Sequence, residues 1–98
     1  MNAGQIILDQ LGGAGRLSAM IGANSIGYGE KHLTFQFKGI RQMNMIRVEL
    51  NGSDLYDITY LKFNKRTFEI KEVDALNDVF ASDLKSSIER TTGLALSL

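Results

Sequence analysis

The chain has no cysteine and no proline, a single histidine, and no long apolar run. Without cysteine, neither a disulfide nor a thiolate metal site can brace the fold, so stability must come from packing, and cysteine usage says nothing about redox compartment. With His32 alone, a two-histidine metal site and a triad with a spare imidazole are both excluded within one chain. Without proline, and with no low-complexity segment or internal repeat, nothing marks a linker. No stretch approaches the roughly 18 apolar residues of a membrane span, and the first residues lack the basic start and apolar block of a signal peptide. A cytoplasmic protein with no membrane partner is the expectation. An excess of one charge is lacking too: eleven Lys and Arg cancel eleven Asp and Glu. That removes the simple electrostatic argument for nucleic acid or an anionic membrane surface.

What is present is enough for one compact domain. Ninety-eight residues with 44% apolar content can bury a modest core but not two independent ones, so residues 1–98 are read as one unit. The stretch 43–63 organises the rest as a hairpin. Ile46, Val48 and Leu50 alternate with Arg47 and Glu49, Asn51-Gly52-Ser53-Asp54 supply a reversal, and Tyr56, Ile58 and Tyr60 resume the alternation. Before it, 24–28 reads as a short strand and 33–38 as a clear one, with Leu33, Phe35 and Phe37 on one face. Residues 39–42 form a polar connection interrupted by Ile40. After the hairpin, Asn64-Lys65-Arg66 make a tight turn into 67–73, with Phe68 and Ile70 expected to face inward. Connections of about three to five residues imply an antiparallel meander of four or five strands, because parallel crossovers need a dozen or more.

Helices are expected at both ends. Asn2 is placed to cap a helix over 3–11 that carries Ile7, Leu8 and Leu11 on one side and is stopped by Gly12 and Gly13. A second helix over 14–21 turns Leu17, Met20 and Ile21 inward and ends at Gly22. Asp74, Asn77 or Asp78 is placed to cap a last helix in which Val79, Phe80, Leu84 and Ile88 recur at helical spacing and which ends at Thr91-Thr92-Gly93. The terminal Leu94, Leu96 and Leu98 alternate, and so apolar a tail is expected to be buried against helix or sheet. The fold class is therefore α+β: one or two N-terminal helices, a four- to five-stranded antiparallel sheet, and a C-terminal amphipathic helix on one sheet face.

Chemical motifs are scarce. Glycines at 12, 13, 15, 22, 27 and 29 invite comparison with a phosphate-binding loop, but Ser18 stands where Gly13-Ala14-Gly15 would need glycine or alanine. No strand precedes it and no Gly-Lys-Ser/Thr occurs. Helix caps and turns account for these glycines, and no cofactor is expected. Asn51, Asp54 and Asp57 offer oxygens to a hard cation, but their spacing matches no calcium loop and their turn roles suffice, so no metal is expected. His32 before a strand reads as a surface residue, and Glu69, Glu72 and Asp74 make no catalytic pair that sequence can place. No catalytic residue is assigned, and an enzyme is not expected. Lys38, Arg41, Arg47, Lys62, Lys65 and Arg66, near Phe35, Phe37, Tyr56 and Tyr60, hold the ingredients of a nucleic-acid surface, although aromatics at period 2 are first of all core. The charge is uneven: residues 1–66 carry eight basic against five acidic side chains, or +3, and residues 67–98 carry three against six, or −3.

Four segments together carry a resemblance: Leu11-Gly12-Gly13, Met20-Ile21-Gly22-Ala23, Leu50-Asn51-Gly52-Ser53-Asp54-Leu55-Tyr56-Asp57, and Thr92-Gly93-Leu94-Ala95-Leu96-Ser97-Leu98. In this order and spacing they resemble small uncharacterised proteins encoded by bacteriophages, prophages and other mobile elements. The shared positions are turns, caps and apolar residues, so the resemblance implies a fold and a genetic context and transfers no catalytic residue. Ala95 departs from the larger aromatic that this group tends to place in its terminal segment. The expected function is a non-enzymatic accessory protein that binds another protein, a host factor among the options, or pairs with its own copy through an edge strand or helix. The alternative is nucleic-acid binding through Lys38, Arg41, Arg47, Lys62, Lys65 and Arg66.

Overall fold

The computed structural model describes residues 2–40 and 42–94. Arg41 and the tail positions Leu96 and Leu98 lie outside the described residues. The elements run α1 (Ala3–Gln10), α2 (Gly13–Ile21), β1 (Asn24–Tyr28), β2 (His32–Ile40), β3 (Met43–Leu50), β4 (Tyr56–Asn64), β5 (Glu69–Val79), a 3₁₀ turn (Ala81–Asp83) and α3 (Leu84–Thr92). The five strands lie side by side in chain order, each antiparallel to the next. The fold is α+β, as the connection lengths require, and β1 and β5 form the two edges, with no further strand paired to either among the described residues.

Alternation sorts the sheet into two faces. Leu33 and Phe35 on β2, Ile46 and Val48 on β3, and Ile58 and Tyr60 on β4 are fully buried and meet Ile7 and Leu11 from the N-terminal helix segment, Leu17 from α2, and Leu84 and Ile88 from α3. All three helices thus contribute to one core on one face. The other face carries Thr34, Gln36, Met45, Arg47, Glu49, Thr59, Leu61 and Phe63, all half-buried or exposed. Asn2 caps α1 by accepting from the Gln5 N–H at 2.9 Å. The first helical N–H groups, which have no partner inside a helix, donate to the β1–β2 turn: Ala3 to the Glu30 carbonyl at 2.8 Å and Gly4 to that of Gly29 at 3.3 Å. This approach needs glycine at position 4, where a β-carbon would sit 2.6 Å from Tyr28 Cβ and 2.8 Å from the Gly29 oxygen.

Three sequence expectations need correction. Phe68 and Ile70 do not face inward: Phe68 is 77% and Ile70 56% exposed. The β4–β5 reversal occupies residues 65–68, which sets Ile70 opposite Phe63 on the outer face. Alternation says which residues share a face, but the turn length decides which face that is. Val79 and Phe80 are not helical. Val79 ends β5 opposite Tyr56, and Phe80 is extended (φ −69°, ψ 148°) and 61% exposed. Helical spacing at 79, 80, 84 and 88 loses here to the ladder with β4, whose length recruits the whole of 69–79. Asp74, Asn77 and Asp78 accordingly lie in β5 and cap nothing. Residues 39 and 40, expected as connection, extend β2 to Ile40, which pairs with Met43.

The C-terminal turn follows the sequence. Gly93 closes α3 in the left-handed conformation (φ 75°), its N–H donating to the Glu89 carbonyl at 2.8 Å. The buried Thr92 hydroxyl donates to Ile88 and accepts from the Leu94 N–H. Leu94 is half-buried against the core.

Candidate interaction surface

The six cations proposed from sequence separate into unequal groups. Arg47 is on the outer face of β3, paired with Glu49 at 3.3 Å, the one ion pair among the described residues. Lys38 lies against Gly22 at the end of α2, where a β-carbon on Gly22 would meet its Cγ at 2.7 Å. Lys62, Lys65 and Arg66 come together, lining one open depression of about 470 Å³ with Phe63 and Asn64. A further cation, missed from sequence, joins them: Lys71 on β5 stands directly opposite Lys62 on β4. Like charges directly opposite across a ladder destabilise it. Register alone makes this neighbour, and the misassigned face of 67–73 hid it.

Phe68 caps this end. It is the last residue of the turn, has φ 60°, and its ring lies 6.4 Å from that of Phe63. Left-handed backbone is uncommon for a bulky residue, and glycine or asparagine is the usual occupant. From this ring an apolar strip crosses the outer face through Ile70 and Phe63 to Leu61 and its β3 neighbour Met45.

The β5 edge is unusual in its length and exposure. All of β5 from Glu69 to Asp78 is exposed, including Ile70, Val73 at 40% and Leu76 at 37%. Two bulges interrupt its ladder: Val73 is extra between Asp74 and Glu72, and Asn77 and Asp78 span the other. A bulge locally disrupts pairing and bends the strand.

The opposite end of the hairpin is a polar knot. Asn51 Oδ1 accepts from the N–H groups of Ser53 (2.8 Å) and Leu55 (3.2 Å), while its amide donates to Asp57 (3.1 Å) and Asp78 (2.8 Å). The Asp78 N–H in turn donates to Asp57 at 3.1 Å. Asn51 thus serves both as turn residue and as bridge between two carboxylates. Among the described residues no group of three or more His, Asp or Glu side chains is placed to hold a metal ion. His32 begins β2, half-buried, its ring against the Gly29 backbone.

Tyr60 carries a titratable hydroxyl into the core. Burial pushes its pKa above the ordinary 10.0; the Thr91 side chain lowers it and the Asp74 carboxylate raises it. The Tyr60 hydroxyl is buried without a hydrogen bond of good geometry, so Thr91 lies close enough to act on it but does not satisfy it.

Fold and surface together define a helix-backed antiparallel sheet whose outer face and β5 edge are uncovered among the described residues. Comparison with known families finds no family that matches the chain, and comparison with curated proteins and with solved structures finds no match either. Among the described residues no helix is long and apolar enough to cross a membrane.

Proposed function

We propose that this is a non-enzymatic accessory protein of a bacteriophage or other mobile element, and that it acts by binding another polypeptide at the β5 side of its sheet. The observation that carries this reading is β5 itself. Eleven residues of edge strand leave Ile70, Val73 and Leu76 in solvent and run from the exposed Phe68 to the exposed Phe80. An edge strand offers a row of backbone donors and acceptors, and exposed apolar side chains along it add contact to whatever pairs there. The non-enzymatic part is supported by the engagement of the polar candidates: Asp57 is held by Asn51 and the Asp78 N–H, and His32 is packed on Gly29. The mobile-element setting is supported by the four-segment resemblance. The test is a photo-crosslinking residue at position 70, with a control at Ser25 on the opposite edge, in the producing cell. A protein adduct specific to position 70 is expected; equal labelling at both sites, or none, refutes the reading.

A second reading has its own observation, the convergence of Lys62, Lys65 and Arg66 beside Phe63 and Phe68. Cations around an exposed aromatic ring, here Phe68, suit a single-stranded nucleic acid, whose phosphates they would contact while a base stacks. Such binding weakens steeply between about 50 and about 200 mM salt, because each neutralised phosphate releases counterions. Fluorescence anisotropy with a labelled oligonucleotide decides it: affinity that is absent at low salt, or insensitive to salt, excludes it.

A further inference from the structure

We propose that the occupant of the β5 edge is β5 of a second copy, paired antiparallel about a two-fold axis perpendicular to the sheet, with Lys71 of each copy opposite Asp74 of the other. The proposal rests on the reading of β5 as the binding edge and adds the partner and its register.

A perpendicular two-fold joins two sheets so that each helix-covered face continues into the other, and residues opposite one another must then belong to the same face. The ladder with β4 fixes these faces. Glu69, Lys71, Asp74, Leu76 and Val79 stand opposite Asn64, Lys62, Tyr60, Ile58 and Tyr56 on the helix side; Ile70, Glu72 and Ala75 stand opposite Phe63, Leu61 and Thr59 on the outer side. In a regular strand, positions 71 and 74 would point to opposite faces. The extra residue Val73 brings them onto the same one. Pairing Lys71 with Asp74 then also pairs Ile70 with Ala75 and Glu69 with Leu76, each within its own face. Among antiparallel registers that overlap more than half of the strand and keep both faces continuous, this one alone sets a cation opposite a carboxylate.

The two charges are free to take these roles. Among the described residues neither side chain has an ion-pair partner: Lys71 faces Lys62, and Asp74 accepts the N–H of its neighbour Ala75 at 2.8 Å. Bulges and charges on an edge strand normally prevent edge-to-edge association. Here they repel an arbitrary strand but are self-complementary in one register, which turns a blocked edge into a selective one. The pairing exposes its own flaw as well, since the two Glu72 side chains flank the axis on the outer face. An edge contact of this kind buries less than the roughly 1,200–2,000 Å² of a standard stable interface, so the dimer is weak and reversible.

Sedimentation velocity on the full chain over a concentration series tests this with Lys71→Glu, Asp74→Lys, the double reversal and Glu72→Gln. The wild type is expected to dimerise. Each single reversal is expected to weaken dimerisation by about tenfold or more, because every dimer then holds two like-charge contacts, and the double reversal restores it to within about threefold. Glu72→Gln tightens it. Lys71→Glu also removes the clash with Lys62, so its melting temperature should not fall, which separates lost pairing from lost fold. A wild type that stays monomeric up to about 0.5 mM, far above the micromolar range of weak complexes, overturns self-pairing; so do single reversals that dimerise like the wild type. If the chain is monomeric but a crosslinker at position 70 captures a different protein, self-pairing falls and the edge reading stands. If position 70 captures nothing, both fall.

Discussion

Replacing Phe68 with asparagine should stabilise this protein even though it deletes an aromatic side chain. Phe68 holds φ 60° at the end of the β4–β5 turn and is 77% exposed. Left-handed backbone costs an ordinary L-residue about 1 kcal/mol or somewhat more, and asparagine far less. Against that gain stands the contact with Phe63, rings 6.4 Å apart and tilted by 53°; an aromatic pair this exposed is worth about 0.5 kcal/mol. The net is a stabilisation of about 0.5 kcal/mol, which for a domain of this size raises Tm by roughly 2–4 °C. Phe68→Ala is the control, because alanine loses the ring and keeps the strain, and it should melt below the wild type. Thermal melts of the three proteins at a concentration too low for association measure both effects. If the asparagine variant melts no higher than the alanine variant, the backbone at position 68 is not strained and the reasoning fails.

Tyr60→Phe should leave stability at pH 7 unchanged or slightly raised, since it removes a buried hydroxyl that has no hydrogen bond, a group that costs about 1 kcal/mol or more to bury. Burial raises the folded-state pKa of Tyr60 above the 10.0 of the unfolded chain, so its contribution is fully present below pH 10 and is lost as pH rises through the folded value. Melts across the alkaline range should therefore fall more steeply for wild type than for Tyr60→Phe, and parallel curves would reject this. Asn51→Ala should cost about 1–2 kcal/mol through its lost turn bonds. Asn51→Asp keeps the acceptor that holds Ser53 and Leu55 but faces Asp57 and Asp78 with a third carboxylate. Its destabilisation should shrink as salt is added, because exposed charges are screened; a loss independent of salt would count against the bridging role.

The parts of the fold legible in the sequence were those set by neighbours along the chain. Asn2, Gly22 and Gly93 mark helix ends because capping is a local matter, and the alternation in 43–63 marks a hairpin because its turn residues lie between its arms. The errors begin where a partner far along the chain decides. Val79 and Phe80 fit a helical period, but their place is set by Tyr56, more than twenty residues earlier. Phe68 and Ile70 have an inward-looking alternation, but the length of the 65–68 reversal and the register with β4 turn Ile70 outward. The same blind spot governs the candidate site. Lys62, Lys65 and Arg66 are neighbours in sequence and could be grouped, whereas Lys71 enters only through the ladder, and the shared face of Lys71 and Asp74 depends on a bulge that no local pattern announces.

These departures are not scattered through the molecule. A phenylalanine in a conformation suited to asparagine, two lysines opposite one another, and a long edge strand with isoleucine, valine and leucine in solvent all belong to β4, β5 and the turn between them. On the opposite side Ser25 also holds left-handed backbone (φ 51°) at a β1 bulge, but Gly4 admits the β1–β2 turn, Asn2 caps α1, and the core alternation from Leu33 to Val48 holds, so the departures there are fewer. Each departure costs folding free energy, and a domain of this size has only about 5–15 kcal/mol to lose. Where local rules are broken together in one region, a functional contact is a common reason. A contact that relieves all three would pair Lys71 with an anion, cover Ile70 and Leu76, and give the exposed ring of Phe68 and the half-buried ring of Phe63 a surface to rest on. Pairing with a second β5 meets the first two demands. The third falls outside the paired strands, at the turn, and a stacked base or a further apolar partner would meet it there.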